Sequence, residues 1–269
     1  LGLLNPETVL YDTDERGNKR AFTPDLTAVQ EFVWTSYLED LDNVKRLADG
    51  APIVTIFNGD MTQGVGHPSH LVSTRIVDQF EIAYQAFRPL MALPNLRTLR
   101  IASGTASHIF SGQTSPLLIT ERLKAQCPAV DIETVFHGLG SVDSFTIDYA
   151  HHGPSSGIRF WTRGNQLRYY LKSIMLKDVA DGREPPEMVT RGHFHDFWPE
   201  TVWVLGKRDW KSDIILLPSY CGMNEYGRQA TQSRSSFSIG LVALEIENGK
   251  LVNTHPFYRT PDLRTREEL

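Results

Sequence analysis

Two short runs constrain this chain more than any others: Phe57-Asn58-Gly59-Asp60 and Gly192-His193-Phe194-His195. The first sets a carboxylate just past a compact apolar run, and the second sets two imidazoles around a single residue. Ser103-Gly104-Thr105-Ala106-Ser107-His108 and His151-His152-Gly153 also follow apolar runs of strand length. Ligand-type residues gathered past the ends of several strands predict a metal centre built where neighbouring strands finish.

The segments between these runs alternate. Residues 28–47 carry Val29, Phe32, Val33, Leu38, Leu41, Val44 and Leu47 at three- and four-residue spacings, which predicts an amphipathic helix stopped by Gly50. Strands are expected over 52–57, 96–102 and 145–149, with helices over 73–91, 116–124 and 166–179. The segment 188–190 then leads into the His-x-His run. The last third reads as strands over 201–205, 214–217, 237–246 and 251–256, forming a second, largely antiparallel layer. No polar or Pro/Gly-rich linker divides the chain, so one α/β domain across 1–269 is expected.

At 269 residues the chain can bury a substantial core, and 41% hydrophobic with 22% charged residues excludes a disordered or collagen-like composition. A net charge of -5 gives no general attraction to nucleic acid, leaving only a local groove for such a partner. Cys127 and Cys221 are too few and too far apart for a disulfide framework, so both are read as reduced thiols in a cytoplasmic protein. No apolar run is long enough to span a bilayer, and no membrane partner is expected. Leu1-Gly2-Leu3-Leu4-Asn5-Pro6 lacks an initiator methionine and reads as an internal segment, with residues expected upstream.

The residue types carry specific chemistry. A carboxylate can bridge two divalent ions while neutral imidazoles hold their outer faces. Asp60 is the bridging candidate. An extended His193-Phe194-His195 would send both rings to one face, since strand side chains alternate. His151 is the first residue past its strand and is ranked as the ligand, with His152 read as a hydrogen-bond partner of substrate or as a support behind the ligands.

Taken in order, Gly59-Asp60, Gly104 to His108, His151 and Gly192-His193-Phe194-His195 resemble the calcineurin-like metallophosphoesterases over most of the chain. The resemblance implies a two-sheet α/β sandwich flanked by helices. It also implies two divalent ions, Mn first, with Fe, Zn or Mg as the other candidates. By the same resemblance Asp60, His151, His193 and His195 are ligands, and Asp60 and His108 are catalytic, His108 assisting the leaving group. The family's Gly-Asn-His passage corresponds here to Gly104-Thr105-Ala106-Ser107-His108, which puts Thr105 in a ligand position without the asparagine. The family's opening Asp-x-His has no match. Asp12-Thr13-Asp14 reads as an exposed turn, so the domain is expected to be N-terminally incomplete, with that ligand-bearing strand upstream of Leu1.

Arg163, Asn165, His152 and Arg191 are the candidates for holding a phosphate, arginine because its planar fork matches phosphate oxygens. His67 and His70 are candidates for the rim, and Trp161 and Trp198 for stacking a base. The expected function is metal-dependent hydrolysis of phosphoesters, with phosphodiesters in nucleic acid or nucleotides as the substrate class. The alternative is a noncatalytic interaction or nucleic-acid-binding module on a degenerate form of the same fold.

Overall fold

The structure is a computed structural model that describes residues 2–66, 71–110, 114–157, 159–206, 208–223, 235–265 and 267. His67 and His70 lie outside the described residues.

Helix α1 (Ala28–Ala48) starts at a capping box, in which the Thr27 side chain accepts from the Gln30 amide and the Gln30 side chain accepts from the Thr27 amide. It ends at Asp49, which is left-handed, beside Gly50. Its apolar face, Trp34, Tyr37 and Leu41, packs on the parallel sheet β3 (Ile53–Phe57), β4 (Leu96–Ala102) and β5 (Asp131–Val135). Helices α2 (Ile76–Met91) and α3 (Thr114–Gln126) supply Phe87, Leu90, Ile119 and Leu123 to the same core around Leu99, Ile101 and Ile132. Burying each such side chain is worth roughly 1.5–3 kcal/mol, so this cluster is what fixes the ends of β3 and β4.

The second sheet is mixed, in the order β6 (His137–Val142), β7 (Phe145–Ala150), β8 (Met188–Arg191), β10 (Trp210–Leu216), β9 (Trp198–Val204). Strand β8 runs parallel to both neighbours and is buried at every residue, as a central strand covered on both faces should be. Helix α4 (Asn165–Ala180) covers one face through Leu167, Leu171 and Met175. On the other face Phe145, Ile147, Tyr149 and Ile215 meet Ile56 and Val135 of the first sheet. Val242, Leu244 and Ile246 of the hairpin β11 (Ile239–Glu247) and β12 (Lys250–Arg259) pack on that face too.

The architecture is thus α/β, with sheets flanked by helices, but the described residues form four sheets where two were expected. The short hairpin β1 (Leu10–Thr13) and β2 (Lys19–Phe22) buries only Leu10, too little apolar surface to dock it on a larger sheet. Strands β11 and β12 spend their ladder on each other. The expected antiparallel last layer is also split, because β10 joins β8 in parallel and β9 folds back antiparallel on β10. No described helix is long and apolar enough to cross a membrane.

Candidate metal site

Strand β3 leaves the sheet through Gly59 and Asp60, both left-handed, with φ 95° and 56°. A β-carbon on Gly59 would lie 2.7 Å from His151 Nδ1, so a side chain there would displace the ring. The loop after β4 closes on this turn, and the Thr105 amide donates to Asp60 Oδ1 at 2.6 Å. His151 follows β7 directly. Its Nδ1–H donates to the Asn58 carbonyl, which turns Nε2 toward Asp60 and locks the ring from behind.

Beyond β8 the chain does not stay extended. His193 (φ 71°) and His195 (φ 50°) are both left-handed, which overturns the expectation of two rings on one strand face. The glycine before His193 and the end of β8 at Arg191 let the chain turn there. His193 swings to His151 and His152, and the ligand atoms of these three imidazoles lie within 4.8 Å of one another. His152, expected against substrate, joins His151 and His193 in this group, and His195 lies near enough to feel the charges of Asp60, His193 and His151.

Asp60 Oδ2, Thr105 Oγ1, His151 Nε2 and His193 Nδ1 form a tight set. Five of their six pairwise distances fall between 3.0 and 3.2 Å. Neighbouring donors on an ion at about 2.0–2.1 Å stand roughly 3 Å apart, so these five spacings are compatible with a small divalent ion. Imidazole nitrogen with carboxylate and hydroxyl oxygen is a donor set compatible with a divalent ion.

Electrostatics acts in opposite directions on these groups. Burial disfavours charge on Asp60, but the hydrogen bond and charge of His151, the charge of His108 and the Thr105 amide outweigh it and hold the carboxyl at about 2. Burial likewise disfavours charge on His151, and Asp60 overcomes it, raising that imidazole above its usual value. His152 and His193 are lowered, first by burial and then by the neighbouring imidazoles. His195 is pushed down to about 4, chiefly by burial.

His108 donates Nδ1–H to the Gln63 carbonyl at 2.8 Å, and its charge reaches Asp60 and His193. Arg191 is wholly buried. Its guanidinium meets Asp148 Oδ1 at 2.7 Å and donates to the Tyr170 hydroxyl at 3.0 and 3.1 Å, so its donors are used inside the fold. Arg163 is ion-paired with Asp196 and lies over the Trp198 ring, 4.3 Å from its centroid. Asn165 opens α4 and accepts from Arg168. Trp198 packs against the α4 core, whereas Trp161 is 80% exposed. Asp12, Thr13 and Asp14 are all exposed, the first two in β1.

One residue at this end of the sheet carried no sequence signal. His137, the first residue of β6, sets Nε2 2.9 Å from both oxygens of Asp148. A lone histidine before Gly138-Leu139-Gly140 matches no motif, and its link to Asp148 is a diagonal cross-strand contact that only the β6–β7 register creates.

Fold and cluster together define an α/β protein with a clustered histidine triad able to hold a metal ion. No protein-family model matches the chain, and no curated protein matches it either.

Proposed function

We propose that this chain is a metal-dependent hydrolase of phosphoesters, a calcineurin-like domain across 1–269 whose substrates are phosphodiesters in nucleic acid or nucleotides. The observation that carries the reading is the close set of Asp60, Thr105, His151 and His193, with His152 beside it. A divalent ion held there, Mn first, supplies Lewis acidity toward a phosphoryl oxygen and acidifies water.

The chain's own residues do the rest. Asp60, held at about 2, stays anionic at neutral pH and balances cationic charge. His152 and His193, lowered below their usual value, keep lone pairs available. The Asn58 carbonyl fixes the tautomer of His151. His108, steadied at Nδ1 by Gln63, presents Nε2 as the atom that protonates the departing ester oxygen. A second ion would be held by Asp60 and His195. The free thiols Cys127 and Cys221 support a reducing, cytoplasmic setting.

A second reading, a noncatalytic binding module, is favoured by the single candidate ligand group found among the described residues. Metal content and turnover of bis-p-nitrophenyl phosphate, measured on the full chain after chelation and again after reloading with Mn2+, separate the two. Bound metal with restored turnover is the expected result. Bound metal without turnover selects the binding module, and a chain that retains no divalent ion overturns both metal-based accounts.

A further inference from the structure

A cleft of about 400 Å3 opens beside the cluster, lined by His151 and His152 and also by Phe136, His137, Tyr170 and Arg191. Phe136 joins β5 to β6 and is 69% exposed, a large ring that fills no core. Next to it, His137 is held by both oxygens of Asp148, and Asp148 is held in turn by the wholly buried Arg191. An exposed histidine–carboxylate pair adds little to stability. Anchored from behind by a buried guanidinium, however, it fixes the direction of the ring. With Nε2–H given to Asp148, Nδ1 is the nitrogen that accepts from a ligand.

We infer that this cleft receives the organic half of a phosphate ester and selects one bearing a flat heterocycle, that is, a nucleotide. The base stacks on Phe136 and donates to His137 Nδ1 while the phosphate lies at the histidine cluster; the inference rests on the phosphoesterase reading of that cluster. The cavity lies within the roughly 300–1,000 Å3 that small-molecule sites occupy, which suits one nucleotide rather than a duplex. Arg191 is a positioning residue here, acting through Asp148 on His137. The net negative charge of the chain also favours a small ligand over a long polyanion.

The test is a binding titration by NMR on the full chain. Adenosine 5′-monophosphate and ribose 5-phosphate are compared in EDTA, and inorganic phosphate is compared with and without Mn2+. Stacking a base on an aromatic ring is worth about 5- to 150-fold in affinity. The nucleotide is therefore expected to bind at least fivefold tighter than the sugar phosphate, and Phe136→Ala, a substitution at an exposed ring, should bring that ratio close to one. Phe136→Trp should restore it. Equal affinities, no binding of either compound, or a ratio unmoved by Phe136→Ala overturns the cleft. The phosphate arm reads the metal site separately: no gain on adding Mn2+ counts against the hydrolase reading, whatever the nucleotide ratio.

Discussion

A β-carbon on Gly104 would stand 2.1 Å from Asp60 Oδ1. The two strand-end loops approach so closely because the Thr105 amide must reach that same oxygen, and only a residue without a side chain permits it. The ligand geometry therefore depends on a residue that binds nothing itself.

Gly104→Ala should push the Asp60 carboxylate out of the cluster. Overpacking of this kind destabilises by roughly 1–3 kcal/mol. The more telling effect is on metal: Mn2+ affinity measured calorimetrically should fall by at least tenfold. A variant that melts lower but binds Mn2+ as before would show that Asp60 is not a ligand.

His193→Ala separates binding from folding in the opposite sense. The ring is exposed, so the substitution should leave stability within about 0.5 kcal/mol. Loss of residues behind metal ligands costs about 10- to 100-fold in affinity, and loss of a ligand at least as much. Calorimetric Mn2+ titration beside a thermal melt checks both halves, and unchanged Mn2+ binding would remove His193 from the ligand set.

Helix α1 and strands β3 and β4 were legible in the sequence because their apolar residues keep one period and end at turn or cap residues. Strand β2 was not, because every residue in it is exposed, and β6 was not, because Gly138 and Gly140 dilute its strand character. Sheet membership was hidden as well, since the parallel pairing of β8 with both β7 and β10 depends on which apolar faces meet. Within the site, Asp60, His151 and His193 announced themselves as strand-end residues. The grouping of His152 with them did not: adjacent residues in a strand point apart, and these two rings come within 4.8 Å only because β7 has already ended at Ala150.

Acid should destabilise the metal-free protein through His195. Its value falls from 6.5 to about 4 on folding, first because of burial, so the unfolded chain takes up the proton at higher pH than the folded one. The stabilisation is present in full above 6.5 and is lost as pH falls through about 4, a contribution of about 3 kcal/mol. Asp60, also lowered, loses its contribution only as pH falls toward about 2, below this window. His151 is raised, and its contribution is lost as pH rises. Comparison with His195→Gln isolates the His195 part. Urea unfolding in EDTA from pH 7.5 to 4.5 should show a shallower pH dependence in the variant, and parallel curves would place His195 in a solvated setting.

Arg191→Met distinguishes a structural guanidinium from one that grips phosphate. The native side chain is wholly enclosed, paired with Asp148 at 2.7 Å and donating to Tyr170. Methionine fills similar space but leaves the Asp148 carboxylate, itself mostly buried, with His137 as its remaining ion-pair partner among the described residues. Removing one partner of a buried pair destabilises by roughly 3–5 kcal/mol. Denaturant unfolding should show a loss of that order, and adding Asp148→Asn should recover part of it, because the stranded charge goes with the carboxylate. A phosphate-gripping arginine predicts the reverse pattern: stability unchanged, phosphate affinity lower, and no rescue by Asp148→Asn.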